Sequence, residues 1–394
     1  MTKTNDFLNT DIAIIGCGIV GATLANILAE SGHNITIIDR AGSVKERIAA
    51  NNNAIIMPLI SHKNDTIGEF YTAGFYQTLA HIKQYNNIFK ECGVIDIKDI
   101  YQTTELSNLA IKAGSAEKIS YQNFTGLFIK EAGVIDTSKL ITSLLEQYKE
   151  QIRVVFDSNI LEIKYENISN ESGLWKIISA QQNLNLKAKI VIIANSYDAL
   201  NFSQTSWLPL EKIRGQISFY PEIKKPKIEQ VICMNGYITP AQDGYHHIGA
   251  TYVRNVNDTE LSVGEHEQNL MLLKRLFDFD IDQSNINYTE LKGQIGFRSA
   301  TFDRRPIVGE VPNLENFVPH YKSNIEEIKN YPNLYLSVAH GSRGLTSCVL
   351  TAKYLSELII AKENLKTTKE LLQLEKLLAA RRFIIKKINQ MKKN

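Results

Sequence analysis

Cysteine is scarce in this chain, and what there is lies scattered. Cys17, Cys92, Cys233 and Cys348 make no C-x-x-C pair and no metal-ligand spacing, which argues against a disulfide framework or a zinc module. The N-terminus lacks the three-part pattern of a secretory leader, and no later run reads as a bilayer span. We therefore expect reduced thiols, a cytoplasmic protein and no membrane partner. An excess of one charge is missing as well. The 44 Lys and Arg nearly balance the 42 Asp and Glu, leaving a formal charge of +2, so overall charge names no partner. Internal repeats and low-complexity tracts are absent. What remains is 394 residues, 44% hydrophobic, enough for a large core and two or three structural units.

The first chemistry-bearing stretch begins at Asp11. A β-branched run to Ile15 reads as a buried strand, and the Ala- and Leu-rich segment after Gly21 reads as a helix. Between them stands Gly16-x-Gly18-x-x-Gly21. Gly16 permits the tight turn, Gly18 lets backbone approach a pyrophosphate, and Gly21 lets helix pack on strand. A second strand ends at Asp39, 18 residues after Gly21, where a ribose hydroxyl needs an acceptor. The whole predicts a dinucleotide-binding βαβ unit. Three glycines and the acid argue against reading the apolar stretch as a membrane span.

Further along, 40–53 reads as a loop and Glu69–Cys92 as helix. Asp136 or Thr137 can cap a helix that starts there. Lys189–Ala194 is an apolar strand delivering Ala194 and Asn195 to a loop, the profile of a parallel strand at a ligand. Residues 207–255 change to short strands broken by Pro and Gly, which reads as antiparallel sheet, followed by a helix over Gly264–Phe277. A Gly-rich stretch, 293–309, precedes the strand Asn333–Ala339. His340-Gly341-Ser-Arg343-Gly344-Leu345-Thr346 then opens a last long helix. This second strand–glycine loop–helix unit can aim helix-terminal N–H groups at another electron-rich part of the same ligand; a plain helix-entry turn is the other reading.

The order Gly16–Gly21, Asp39, Gly133–Asp136, Ala194-Asn195, Arg214-Gly-Gln216, Tyr237–Pro240 and Arg298–Gly309 resembles D-amino-acid-oxidase-type flavoenzymes, a superfamily that includes glycine and sarcosine oxidases. Within it, Asn201–Pro209, Val231–Pro240, His247–Tyr252, Gly296–Asp303 and Gly341–Leu345 are similar to the FAD-dependent half of the bifunctional tRNA 5-methylaminomethyl-2-thiouridine biosynthesis family. The resemblance implies an α/β fold: a Rossmann-like FAD domain (1–85, 133–206 and 293–364) interleaved with an antiparallel-sheet substrate domain (86–132 and 207–292), plus a basic helical tail (365–394). It implies bound FAD, with Gly16, Gly18, Gly21, Asp39, Asn51, Ala194, His340, Gly341, Arg343, Gly344 and Leu345 around it. Asn51 falls in a loop, Ala49–Ala54, that departs from the family's Ser-Gly-Asn. The family's methyltransferase domain has no counterpart here, so a separate SAM-dependent methyltransferase is the expected partner.

The implied reaction removes a carboxymethyl group from 5-carboxymethylaminomethyl-2-thiouridine in tRNA, and its substrate is an N-substituted glycine. A carboxylate anchor is then required, and Arg298 is the candidate, because a guanidinium grips a carboxylate with two parallel hydrogen bonds. The other reading pairs Arg298 with Asp303. Tyr237 and Tyr252, on the antiparallel sheet, are candidates to hydrogen-bond substrate. His246 and His247 show no ligand spacing, and we expect no metal. The tail has apolar residues at spacings of three and four (Leu377, Ala380, Ile384, Ile388, Met391), an amphipathic pattern. Its basic face, Arg381, Arg382, Lys386 and Lys387, is expected to meet tRNA phosphates. A fraying, solvated terminus is the alternative.

Overall fold

The structure is a computed structural model describing residues 8–44, 46, 53–60, 65–98, 116–121, 123–168, 173–180, 184–277, 286–315, 317, 327–364 and 369–391. In chain order it runs β1 (Leu8–Ile15), α1 (Ile19–Glu30), β2 (Ile35–Ile38), β3 (Asn53–Ile56), α2 (Thr66–Ile82), β4 (Phe89–Lys90), β5 (Val94–Ile97), β6 (Ala116–Tyr121), β7 (Phe124–Ile129) and β8 (Gly133–Asp136). Then come α3 (Thr137–Gln147), β9 (Ile152–Val155), β10 (Ile160–Asn167), β11 (Gly173–Ser179), β12 (Asn185–Ile193), β13 (Glu211–Pro221), β14 (Val231–Cys233), β15 (Tyr237–Ile238), β16 (Tyr245–Gly249) and β17 (Val253–Arg254). The last elements are α4 (Val263–Phe277), β18 (Gly293–Ala300), β19 (Ile307–Pro312), β20 (Asn330–Val338), α5 (Gly344–Asn364), α6 (Lys369–Leu378) and α7 (Arg381–Met391).

Five parallel strands, in the order β20-β12-β1-β2-β9, form the centre of an eight-stranded sheet. Strands buried on both faces need side chains that are apolar on both, which is why Ile12–Ile15 of β1 and Ile190–Ile193 of β12 read as unbroken Ile, Val and Ala runs. The two faces of β1 carry separate cores. Ile12 and Ile14 join α1, α3 and α5, while Ala13 and Ile15 join Trp175, Phe202 and Leu208. Asp136 caps α3 by accepting from the Lys139 N–H at 3.0 Å. No helix among the described residues is long and apolar enough to cross a membrane.

A nine-stranded sheet runs β17-β13-β16-β15-β14-β5-β7-β6, with β18 on the other edge of β13. Leu270, Leu273 and Leu276 of α4 pack against it. Two expectations change here. Gly293–Ala300, assigned by sequence to the cofactor unit, pairs along its length with β13 in this second sheet. Its glycines disguised a strand: a Cβ at Gly293 would lie 2.5 Å from the Ile217 carbonyl oxygen, so close backbone approach demands the missing side chain. The helix expected to reach Cys92 stops at Ile82, and Asn87, in the left-handed region (φ 57°), turns the chain into β4.

The tail is built into the body. Ala380 and Phe383 complete the second core, and Ile384 and Ile388 cover Ile328. The spacing predicted this helix.

Candidate active site

A cavity of about 490 Å3 is walled by both sheets. The parallel sheet brings Gly18–Val20 at the start of α1, Ala194 after β12, and Ser337–Thr346 between β20 and α5. The antiparallel sheet brings Gly215 and Ile217 of β13, Cys233, Tyr237, and Gly296–Ser299 of β18.

The glycine turn is as tight as its sequence implied. Gly16 has φ +112°, and a Cβ on Gly21 would stand 1.9 Å from the Gly16 carbonyl oxygen. Helix α1 has Gly18 at its N-cap, with no capping side chain and no acid in its first turn. Its leading N–H groups and positive dipole end are left for an anion. Asp39, buried at the end of β2, clamps this turn. One carboxylate oxygen accepts the Cys17 N–H at 2.6 Å and the other the Ala41 N–H at 3.0 Å. Beside it a smaller cavity, about 30 Å3, is lined by Gly16, Asp39, Arg40, Ser158, Asn159 and Asp198 among others.

After β20, on the same parallel-sheet wall, His340 is fixed from two sides. Nδ1 lies 2.9 Å from the Ser347 Oγ, and Nε2 lies 3.2 Å from the Ser337 Oγ. Ser347 donates its hydroxyl proton to the Arg343 carbonyl oxygen at 2.9 Å. Hence Nδ1 carries the imidazole proton and Nε2 accepts from Ser337. Burial pushes the His340 pKa down to about 4, so it stays neutral. This device fixes the short turn Gly341–Arg343 that leads into α5, and Gly341, Gly344 and Leu345 line the cavity with it. Ala339, just before, sits in the left-handed region at φ 62°, a strained conformation of the kind that collects at functional sites.

Arg298 points into the same cavity. Its guanidinium lies against Gly215, where a Cβ would be 2.4 Å from Nη1, and Nη1 donates to the Thr251 carbonyl oxygen at 3.4 Å. Burial draws its pKa below the ordinary value, opposed by the Tyr237 and Tyr252 phenols. The Arg298–Asp303 pairing considered from sequence does not form: that carboxylate bonds Arg305 and Arg382 instead. Among the described residues lining the cavity there is no Asp or Glu. Tyr237 lines it, and burial pushes its phenol up to about 12. Arg343 lines it too, its guanidinium 5.6 Å from the Tyr71 ring centroid.

Three sequence expectations need correction. Tyr252 is 54% exposed, outside the cavity lining and beyond the end of β16. The neighbouring Thr251 turns inward to bond Gln216, which sends the next side chain outward. Arg382 spends its guanidinium on Asp303 and on the Leu378, Ala379 and Arg305 carbonyl oxygens, and Arg381 donates to the Ile328 carbonyl and Asn330. Both hold the tail to the body, which leaves Lys386 and Lys387 as the exposed cations of that set. Asn51 lies outside the described residues. Sequence reasoning missed Cys233, Ser337 and Thr251. Cys233 and Ser337 are brought in by long-range strand pairing, and Thr251 contributes a backbone carbonyl oxygen, which no residue type announces.

A family model described as FAD dependent oxidoreductase, DAO, matches residues 11–358. The chain belongs to that family. FAD is its cofactor, and the residues fit it: an uncapped helix end and a glycine turn for the diphosphate, and a cavity of about 490 Å3 beside them. Among curated proteins, the chain is similar to the tRNA 5-methylaminomethyl-2-thiouridine biosynthesis bifunctional protein MnmC of Stutzerimonas stutzeri, 26% identical over 371 residues, 87% of this chain and 55% of that protein. The protein of the same name from Haemophilus ducreyi is 27% identical over 90% of the chain and 56% of its own length. The chain thus spans about half the length of the curated relatives it matches. Glycine oxidase from Bacillus cereus shares the fold, with TM-score 0.66 and 18% identity over 92% of this chain and 97% of that one.

Proposed function

We propose that this chain oxidises the CH–N bond of a carboxymethylamino group on the wobble uridine of tRNA. The products are the 5-aminomethyl nucleoside and glyoxylate. The observation that carries the reading is Arg298, a cation aimed into a cavity whose described walls hold no carboxylate, opposite the glycine turn. Two parallel hydrogen bonds from its guanidinium orient the substrate acetate, so the methylene is presented in one direction. With no acid to stabilise an ammonium, and with Arg298 and Arg343 nearby, the cavity keeps the substrate amine neutral and its lone pair available. Bound FAD supplies the two-electron acceptor for the methylene hydride. The nitrogen lone pair closes a C=N bond as that hydride departs. Water adds to the carbon, and C–N cleavage yields glyoxylate and the free aminomethyl group.

The names of the relatives support the tRNA substrate, and a tRNA substrate implies a cytoplasmic setting. The alternative is a small-molecule amine oxidase of the glycine and sarcosine type. Mixing the holoenzyme anaerobically with tRNA bearing carboxymethylaminomethyluridine decides between them. Flavin bleaching with stoichiometric glyoxylate is expected. Bleaching by sarcosine at low millimolar concentration with indifference to the tRNA supports the alternative instead.

A further inference from the structure

On the face of β13 turned away from the cavity lies a buried polar layer that the reaction above does not use. Arg214, 3% exposed, donates Nε to the Asp258 carbonyl oxygen at 2.8 Å and Nη2 to that of Glu260 at 2.6 Å, and its Nη1 meets the Glu265 carboxylate. The second Glu265 oxygen accepts the Thr251 hydroxyl at 3.0 Å. That hydroxyl accepts the Gln216 N–H at 2.8 Å, and the Thr251 N–H donates back to the Gln216 carbonyl oxygen at 3.2 Å. The Thr251 carbonyl oxygen then accepts from Arg298 Nη1. An unbroken set of contacts runs from Arg214 through Glu265 and Thr251 to the cavity cation.

A buried carboxylate–guanidinium pair is a poor way to stabilise a fold, because its desolvation cost offsets its attraction. It is a good way to fix a direction. Thr251 lies between β16 and β17, outside either strand, and is tied by Gln216 and Glu265. Gly215 gives the Arg298 guanidinium a flat floor but no acceptor at its side; the Thr251 carbonyl oxygen provides one. We propose that Glu265, anchored by Arg214, is a positioning residue. It sets the Thr251 carbonyl oxygen and thereby the angle at which Arg298 meets a substrate carboxylate. This rests on reading Arg298 as the carboxylate grip.

Glu265→Gln tests it in the FAD-loaded protein. A neutral amide cannot face both partners correctly, since oxygen toward Thr251 places NH2 against Arg214. With tRNA bearing carboxymethylaminomethyluridine as substrate, KM should rise about tenfold, the worth of one hydrogen bond to a charged group, while kcat stays within about twofold. Methoxyacetate binding, read from the flavin spectrum, should weaken by the same factor as KM. Binding of the uncharged methoxyacetamide should not change. Thr251→Val should reproduce the loss and Thr251→Ser should restore binding. Unchanged methoxyacetate affinity in both Glu265→Gln and Thr251→Val overturns the proposal, as does equal weakening of acid and amide. Arg298→Lys separates the two levels. If it weakens methoxyacetate binding and Glu265→Gln does not, only the positioning role fails; if it leaves binding intact, the anchor reading fails with it.

Discussion

A guanidinium held by a single long bond to the Thr251 carbonyl oxygen, in a cavity whose described lining has no carboxylate, has no anion of the chain to satisfy it there, so its removal should be felt by the substrate more than by the fold. Arg298→Met is expected to lower kcat/KM for tRNA bearing carboxymethylaminomethyluridine by about a thousandfold, two charge-assisted bonds being lost together. Stopped-flow flavin reduction measures it, and the resting flavin spectrum should be unaltered. That Arg298 lines the cavity was legible from the motif that holds it. Thr251 was not, since its value lies in a carbonyl oxygen every residue possesses. At His340 the sign of a pH effect follows from burial. Its folded pKa is about 4 against an ordinary 6.5, so the unfolded chain takes up a proton in that interval and the folded one does not. Stability is therefore complete above 6.5 and falls toward pH 4, by about 3 kcal/mol from this group. Burial lowers His81, His246, His247 and His266 as well, so acid denaturation is shared. Urea midpoints at pH 7.5 and 4.5 should converge partly, not wholly, in His340→Gln; a variant with the full wild-type slope would show that this imidazole is already charged.

At the scale of an element, α7 shows how composition can suggest one role and packing impose another. Its basic residues read as a phosphate-binding face, yet Arg382 is drawn inward by Asp303, with Nε 2.9 Å from Oδ2. That carboxylate is held well below the usual range, its burial outweighed by hydrogen bonds from Arg382, Thr301 and Arg305. Periodicity made the helix and its apolar face readable. The acid that captures the arginine lies 79 residues earlier in the chain, and no local pattern announces it. Two substitutions should therefore separate the structural cation from the surface ones. Arg382→Met should cost about 3 kcal/mol in chemical denaturation, as breaking a buried ion pair does. Lys386→Glu with Lys387→Glu should leave the denaturation midpoint in place and instead weaken tRNA binding, with a salt dependence shallower by about two units. Lys386 also lies 3.6 Å from the centroid of the half-exposed Phe302 ring, a surface on which a base can stack. An unchanged salt slope in the double variant would place the RNA surface away from α7.

Across the whole molecule, Val94, Leu127, Ile129 and Val231 of the antiparallel sheet join the core of the parallel one, and the cavity is walled by both sheets. A ligand touching both walls binds the folded chain alone and stabilises it by mass action, about 2.7 kcal/mol at a hundredfold excess over Kd. FAD should accordingly raise the thermal midpoint of stripped protein, by a few degrees for a chain of this size. Gly21→Ala decides whether the turn at α1 carries that effect. A Cβ there collides with the Gly16 carbonyl oxygen, and backbone cannot swing aside as a flexible side chain would, so the turn must open where a diphosphate would sit. The variant is expected to lose both yellow colour on purification and the FAD-dependent rise in midpoint, whereas Arg298→Met keeps both. The contrast uses no substrate, so it reads the cofactor end of the cavity by itself. Should Gly21→Ala retain its flavin and its stabilisation, the phosphates are held elsewhere, and the smaller cavity beside Asp39 becomes the place to look.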